Sequence, residues 1–325
     1  MNQNLSMNRR SLLHAGLGFA AVIAVPNLSG CVATGSARKG FFAARELPIG
    51  LQLYTLGDAI VKEDLDGTLQ RVAAIGYRTI ELPGVKSGET SRIRAAADKA
   101  GLAITAVHVG SGPASAEGPL TVQADLAQLA GQLQVLGCRD VVVPFPLLPS
   151  VTPAAGEDML TALRRAFRSG IDHWKRTAAL LNERGEALRR EGLSLSYHNH
   201  DLEFITVSGT RGWDILVADT DPKLVFFEID IGWVVAGGLD PVAFVEGLAG
   251  RVRQLHVKDL NAPSEPKEAL KMDSTEVGSG VVDWKKVLGA AYRAGARQFY
   301  VEQEPPFKID RFEAVSKSYA YLNNL

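Results

Sequence analysis

The segments Arg251-Val-Arg-Gln-Leu-His-Val-Lys-Asp259 and Gln298-Phe-Tyr-Val-Glu-Gln-Glu304 each join a short apolar run to ionisable residues at its carboxyl end. Residues 193–201 and 224–231 show the same pattern. In parallel α/β folds, functional sites lie at the carboxyl ends of the strands. We therefore expect these four segments to be parallel strands whose ends meet at one site.

Strand-like and helix-like patterns alternate from residue 48 to the end of the chain. The helical stretches repeat apolar residues every three to four positions, as Leu69, Val72 and Ala73 do, and Gly76 then marks a helix end. Eight strand–helix units predict a single-domain (β/α)8 TIM barrel. A doubly wound sheet is the alternative, but no Gly-x-Gly-x-x-Gly turn follows any predicted strand. The predicted strands are residues 49–55, 77–82, 103–109, 139–144, 193–199, 224–230, 252–258 and 298–303.

Two connections are longer than a barrel requires. Residues 146–192 combine a proline-rich loop with one long predicted helix, and residues 260–282 are rich in Pro, Lys and Glu. Both follow strands, so both are expected over the site end of the barrel, where they are candidate lids.

The N-terminus has the features of an export signal. Arg9 and Arg10 precede an apolar stretch over residues 12–25, and the arginine pair resembles a twin-arginine signal. Leu28-Ser29-Gly30-Cys31 resembles a bacterial lipobox, whose cysteine is lipidated and becomes the first residue. A plain signal peptide that contains a cysteine is the alternative. We predict a protein that is lipid-anchored on the periplasmic side of a bacterial envelope membrane, with a signal over residues 1–31, a flexible tether over 32–47 and the barrel over 48–325.

Charge and cysteine content exclude other classes of protein. The 325 residues include 35 Lys and Arg against 36 Asp and Glu, so the formal net charge is −1 and no nucleic-acid partner is expected. Acylation of Cys31 would leave Cys138 without an intrachain partner, so no disulfide framework is expected.

Ionisable residues concentrate at the inward-facing positions of the last four predicted strands. Buried charges are costly unless they are paired or bind a metal, and a mixed His/carboxylate set suits Mn²⁺, Zn²⁺, Co²⁺ or Fe²⁺ rather than Ca²⁺. His108 and Glu81, in the third and second strands, are weaker candidates. Any one of these residues could instead be a core histidine or a salt-bridged carboxylate. The inward positions are His198 and His200, Glu228 and Asp230, His256 and Lys258, and Glu302 and Glu304, in strand order.

Six motifs in order resemble the xylose-isomerase-like sugar phosphate isomerase/epimerase superfamily. The resemblance covers residues 48–325 and implies a (β/α)8 barrel with one divalent ion held by residues of strands five to eight. It implies that Asp230, His256 and Glu302 are the ligands of the last three strands. The motifs are Gly76-Tyr-Arg-Thr-Ile-Glu-Leu82, Tyr197-His-Asn-His-Asp-Leu-Glu-Phe204, Glu228-Ile-Asp-Ile-Gly-Trp233, His256-Val-Lys-Asp259, Gly278-Ser-Gly-Val-Val-Asp-Trp284 and Tyr300-Val-Glu-Gln-Glu304.

The fifth strand departs from the family pattern. Ketose epimerases of the superfamily carry Glu there, whereas this chain has His198, with His200 as the next inward residue. Either histidine is a candidate ligand. The epimerases use two metal-bound glutamates as acid and base, and only Glu302 remains here. A histidine is therefore a candidate for the second proton-transfer group.

These features predict a metal-dependent sugar isomerase or epimerase that removes a proton next to a carbonyl and forms an enediolate. The alternatives are a lyase or hydratase of keto-sugars or keto-glycosides and a non-catalytic sugar-binding lipoprotein. The expected partner is a small unphosphorylated sugar; the metal (Mn, Zn, Co, Fe or Mg) and self-association into a homo-oligomer are left open. Glu302, His198, His108 and Lys258 are the predicted catalytic residues, and Glu81, Glu304 and Trp233 are the predicted substrate contacts.

Overall fold

Eight parallel strands close into one barrel, which confirms the predicted fold class and rules out the doubly wound sheet. The structure is a computed structural model that describes residues 39–57, 64–115 and 118–325. Each strand lies within its predicted bounds and pairs with its neighbours in chain order, and the first pairs with the last. The strands are β1 Gly50–Gln52, β2 Thr79–Leu82, β3 Ala103–His108, β4 Asp140–Val143, β5 Ser194–His198, β6 Val225–Asp230, β7 Val252–Val257 and β8 Gln298–Val301.

Helices surround the barrel, and aspartates begin several of them. Asp283, for example, is the N-cap of one helix, and its carboxylate accepts the backbone N–H of Lys286. A cap of this kind stabilises the start of the helix because it satisfies an otherwise unpaired donor. The helices are α1 Leu65–Ile75, α2 Thr90–Ala100, α3 Leu126–Leu136, α4 Met159–Phe167, α5 Asp172–Arg190, α6 Gly212–Asp219, α7 Ile231–Ala236, α8 Pro241–Glu246, α9 Trp284–Ala294 and α10 Arg311–Asn323.

The connection over residues 146–192 contains the predicted long helix, α5, and also a shorter helix, α4, that was not predicted. Between them, the hydroxyl of Ser169 donates to the carbonyl oxygen of Ala166 at 2.7 Å, which competes with the helical hydrogen bonds. Gly170 follows, and glycine is a poor helix former. The long helix that was predicted is confirmed as α5, and α4 is an additional helix that was not predicted.

The amino-terminal edge of the described region packs against the barrel. Phe42 is buried, and the rings of Phe41 and Phe42 both make edge contacts with the ring of Phe299 in β8. Phe41 and Phe42, which fall within the predicted tether of residues 32–47, therefore pack against the barrel, because they supply apolar surface that the barrel buries. The predicted signal, with Arg9, Arg10 and Cys31, lies outside the described residues.

Alternation along the strands puts polar side chains inside the barrel and apolar ones against the helices. In β7, Leu255 and Val257 belong to the main apolar core, whereas Gln254 and His256 point inward. The side chain of Gln254 accepts a hydrogen bond from Ser196 of β5 at 2.8 Å. Paired polar groups of this kind lie inside the barrel next to the inward ionisable residues.

The connection after β7 is fastened to the barrel by Asp259. Its carboxylate accepts the backbone N–H of Gly278, Gly280 and Val282 and the indole N–H of Trp284. These bonds explain the Gly278–Trp284 motif, since a side chain at Gly280 would collide with Asp259. None of the described helices has the length and hydropathy needed to cross a membrane.

Candidate active site

A cavity of about 250 Å³ opens at the carboxyl ends of the barrel strands. Asp230, His256 and Lys258 are fully buried close to these residues. Of the predicted substrate contacts, Glu304 and Trp233 line the cavity, whereas Glu81 is fully buried and is not part of its lining. The predicted site residues that line the cavity are His108, His198, His200, Trp233, Glu302 and Glu304.

His256 lies between carboxylates from three other strands. Its Nδ1 is 2.7 Å from Oε2 of Glu302, and its Nε2 is 2.6 Å from Oε2 of Glu81 and 3.2 Å from Oε2 of Glu228. Burial disfavours a charged imidazole, but Glu228, Glu302 and Glu81 outweigh it and raise the pKa of His256 well above its usual value. This part of the site therefore attracts positive charge.

Lys258 supplies a permanent positive charge beside the same carboxylates. Its Nζ is 2.7 Å from an oxygen of each of Asp230, Glu302 and Glu304. Burial acts to lower the pKa of Lys258, but the three carboxylates raise it well above its usual value. The ammonium group is therefore committed to these ion pairs, and it does not line the cavity. Its predicted catalytic role would need these contacts to rearrange.

Glu228 is a site residue that the sequence analysis placed on the inward face but gave no role. Its Oε2 is 3.0 Å from Nε2 of His108 and 3.0 Å from Nδ1 of His198. Burial acts to raise the pKa of Glu228, but His256 and the hydrogen bonds from the histidines lower it well below its usual value. Its spacing of two residues from Asp230 was the available signal, because it puts both side chains on one face.

His198 is held neutral and in a defined tautomer. Burial and the neighbouring His256 lower its pKa to about 4, against the opposing effect of Glu228. Because Glu228 is ionised and accepts, Nδ1 of His198 carries the hydrogen and the Nε2 lone pair stays available. That Nε2 lies 3.9 Å from Oδ2 of Asp230.

The two fifth-strand histidines occupy different surroundings. The ring of His200 stacks on Phe145, with centroids 4.3 Å apart and an interplanar angle of 17°, and it lies 5.3 Å from the ring of Trp233. Burial lowers the pKa of His200 well below its usual value. Nδ1 of His200 has no hydrogen-bond partner in the described part of the chain. The structure thus brings His198 into the carboxylate group and leaves His200 among aromatic rings.

Glu81 shares a proton with its neighbours near neutral pH. Burial and the nearby Glu228 raise its pKa to about 7, against the effects of His108 and His256. Gln52 donates to Oε2 of Glu81 at 2.9 Å. A carboxyl group with this pKa can hold or release a proton under physiological conditions.

Chemically, the residues fit a divalent ion. Asp230, His256 and Glu302 offer ligand atoms within 4.8 Å of one another, and a second grouping of His108, His198 and Glu228 also includes His256. Oε1 of Glu228 has no hydrogen-bond partner among the described residues. A cluster with more buried carboxylates than permanent cations, and with unpaired oxygens, is stabilised by a bound cation.

Asp201 and Glu203 of the Tyr197–Phe204 motif support the site from outside the cavity. The carboxylate of Asp201 accepts the backbone N–H of Ala269 at 2.8 Å and of Leu270 at 3.1 Å, and Leu270 lines the cavity. Glu203 accepts the hydroxyl of Tyr197 at 2.6 Å and the backbone N–H of His200 at 3.0 Å. Burial raises the pKa of Asp201 to about 6 and that of Glu203 to about 7.

Comparison with known proteins adds three findings. The family model for xylose isomerase-like TIM barrels matches residues 69–324. The structure is similar to that of a sugar phosphate isomerase/epimerase from Parabacteroides distasonis, with a TM-score of 0.66, 26% identity and coverage of 91% of this chain and 97% of the other. It also shares its fold with a xylose isomerase-like TIM barrel protein from Mycobacterium smegmatis in complex with magnesium (TM-score 0.62, 15% identity, coverage 86% and 96%).

Among curated proteins, the chain is 29% identical over 164 residues to an inosose dehydratase from Lacticaseibacillus casei. This match covers 47% of the chain and 54% of the relative. An inosose dehydratase from Geobacillus thermodenitrificans is 30% identical over 164 residues, with coverage of 46% and 54%. The chain therefore spans about half the length of the curated relatives that it matches.

Proposed function

The chain belongs to the xylose isomerase-like TIM barrel family, and on that premise we propose that it removes a proton next to the carbonyl group of a keto-sugar. One observation carries the proposal: Glu302 and His198, both unprotonated bases, line the same cavity as His108, which retains a proton more readily. Groups whose pKa values are driven apart within one site are suited to separate acid and base roles.

Glu302 and His198 are kept unprotonated by different causes. Burial acts to raise the pKa of Glu302, but Lys258 and His256 lower it well below its usual value, so Glu302 is ionised at neutral pH. His198 is neutral and presents Nε2. We assign proton removal to Glu302 and not to His198, because Nδ1 of His198 keeps its hydrogen towards Glu228 and Nε2 is the nitrogen left for a metal.

The proton donor is His108. Burial acts to lower its pKa, but Glu81 and Glu228 raise it above its usual value. Glu81, with a pKa of about 7 and Oε1 at 3.5 Å from Nε2 of His108, can replace a proton that His108 gives away. The cavity therefore holds a base and a replenished acid.

We assign metal binding to Asp230, His256 and Glu302, with His198 as the fourth ligand. A divalent ion held there would supply Lewis-acid polarisation of the substrate carbonyl. The residues themselves orient this site, because Glu228 fixes the tautomer of His198 and Lys258 holds Asp230 and Glu302 in place.

A β-elimination uses this arrangement fully. The base takes the proton next to the carbonyl, the acid protonates the oxygen leaving from the adjacent carbon, and the C–O bond breaks as a C=C bond forms. The absence of a fifth-strand carboxylate and the similarity to inosose dehydratases support this lyase reaction. Isomerisation or epimerisation is the second candidate, supported by the similarity to the Parabacteroides distasonis isomerase/epimerase, and it begins with the same proton removal.

Mass spectrometry of the products tests this proposal. Metal-loaded protein is incubated with a keto-inositol and with keto-glucosides, and the products are compared with those of a Glu302→Gln variant. Loss of water or of an alcohol identifies a lyase, and a new isomer of unchanged mass identifies an isomerase. No conversion of any keto-sugar by the metal-loaded protein would contradict the proposal.

We also propose that the protein works on the periplasmic side of an envelope membrane, anchored through Cys31. The order of Arg9-Arg10, the apolar stretch and the lipobox-like Leu28–Cys31 segment supports this location. Sugar phosphates are scarce in that compartment, which agrees with an unphosphorylated substrate.

A further inference from the structure

Two aromatic side chains stand at the mouth of the cavity. Tyr54 and Phe145 both line it, yet they keep 47% and 36% of their surface exposed. Tyr54 follows β1 and Phe145 follows β4, so the two residues follow strands that are three positions apart around the barrel. Large aromatic surface left exposed at a cavity indicates a contact that the free protein does not make.

The backbone of Tyr54 and the ring of Phe145 are held in place before any ligand arrives. The backbone N–H of Tyr54 donates to Oε1 of Gln52 at 3.1 Å, and the Gln52 side chain is itself bonded to Glu81. Phe145 stacks on the ring of His200, with centroids 4.3 Å apart. Surfaces that are ordered in advance lose less entropy when they bind.

The size of the cavity limits what lies inside it. Drug-sized ligands occupy cavities of about 300–1,000 Å³, whereas this one measures about 250 Å³. The cavity therefore accommodates one sugar ring. A second ring attached to that sugar would extend out of the cavity at its mouth and lie beside Tyr54 and Phe145.

The acidic lining of the cavity disfavours a ligand that carries an anionic substituent. Glu302 and Glu304 line the cavity, and no Lys or Arg does so among the described residues. Lys258, the buried cation of the site, is paired with three carboxylates. A phosphate group in the cavity would meet Glu302 and Glu304, with no Lys or Arg of the described residues in the lining to balance its charge.

We propose that Tyr54 and Phe145 form an outer subsite that binds the second ring of an uncharged glycoside, while the reacting sugar occupies the cavity. This inference rests on the proposed function, because the ring in the cavity is the keto-sugar of that proposal. The shared chemistry of the second ring is an apolar face, which either a sugar or an aryl group supplies.

Binding of unoxidised glycosides tests the subsite without requiring turnover. Isothermal titration calorimetry on the metal-loaded protein compares methyl β-glucoside, phenyl β-glucoside and cellobiose, and then methyl β-galactoside, phenyl β-galactoside and lactose. The two-ring ligands should bind more tightly than the methyl glycoside of the same sugar. A stronger advantage for the phenyl glycosides identifies an aryl group, and one for the disaccharides identifies a sugar.

Substitutions of Tyr54 and Phe145 test whether these two rings cause the tighter binding of two-ring ligands. Tyr54→Ala and Phe145→Ala should each reduce the two-ring advantage by about 2- to 10-fold, the size expected for one aromatic stacking contact. Tyr54→Phe should retain it, since the ring remains. Val281→Ala is the matched control, because Val281 is 54% exposed but does not line the cavity.

Three results would overturn the subsite: equal affinity for one-ring and two-ring ligands, no binding of any two-ring ligand, or an undiminished advantage in the Tyr54→Ala/Phe145→Ala double variant. Any of these leaves proton removal from keto-sugars unaffected. Conversely, a missing proton-transfer activity would leave the binding advantage in place, so the two proposals fail separately.

Discussion

Nδ1 of His198 lies 3.0 Å from Oε2 of Glu228, and this contact decides how the fifth-strand histidine faces the site. An ionised glutamate accepts the Nδ1 hydrogen and leaves Nε2 as the free nitrogen. His198 thereby presents a lone pair where ketose epimerases of the family present a carboxylate.

Replacing Glu228 with Gln should lower activity on keto-sugars or metal affinity by about 10- to 100-fold, the usual effect of losing a carboxylate that orients a ligand histidine. The physical reason is that a neutral amide no longer fixes the tautomer of His198. Steady-state kinetics and metal titration measure the change. Glu246→Gln, at an exposed ion pair with Arg293, is the control. A fully active Glu228→Gln variant with unchanged metal affinity would contradict the role of Glu228 in fixing the tautomer of His198.

Variants of the two fifth-strand histidines, His198 and His200, should differ in the amount of metal that they bind. His198→Ala, Asp230→Ala and His256→Ala should each lose most bound metal, because their ligand atoms lie in the carboxylate group. His200→Ala should keep its metal, since His200 stacks on Phe145 instead. Elemental analysis of the purified variants gives the metal content, and circular dichroism checks that the barrel remains folded. Metal retained in His198→Ala and lost in His200→Ala would reverse the assignment.

His173 should make the fold sensitive to acid. Burial lowers its pKa to about 4, so the folded state binds fewer protons than the unfolded state between about pH 6.5 and pH 4. Stability from this group is therefore present above pH 6.5 and is lost as the pH falls towards 4.

The His173→Phe variant keeps a ring beside Phe167 and Trp174 but cannot titrate. Urea unfolding at pH 7 and pH 5 should show a smaller loss of stability in the variant than in the natural protein. Comparing the two proteins cancels the titration of Asp201, Glu203 and the site residues. Equal pH dependence would show that His173 does not titrate as inferred.

Membrane attachment should depend on one sulfur atom. Cys31→Ser should yield a soluble exported protein, and changing both Arg9 and Arg10 to Lys should block export. Fractionation of cells that produce each variant measures both effects. Membrane attachment that persists in Cys31→Ser would contradict lipidation.

The barrel was predictable because its signals are local. Short apolar runs marked every strand, and Gly76 marked the end of α1. The missed features depend on contacts between distant parts of the chain. The sequence assigns Phe41 and Phe42 to a tether, because it does not show their ring contacts with the distant Phe299.

Much of the site followed from strand alternation, which identified the inward positions of β5 to β8. Alternation does not say which inward residues meet across the barrel. The bonds of Glu228 to His108 and His198 join three strands, and the stacking of His200 on Phe145 joins two loops. Spacing within each strand treats His198 and His200 as equals, and their surroundings distinguish them.

Solvent exchange in D₂O tests the central claim most directly. Metal-loaded protein is mixed with a keto-inositol or a keto-glucoside, and proton NMR follows the signal of the hydrogen next to the carbonyl. The account predicts exchange faster than in the protein-free solution, and a rate lower by roughly 10²-fold or more in Glu302→Gln. Net conversion without solvent exchange, or exchange undiminished in Glu302→Gln, would contradict proton removal by Glu302.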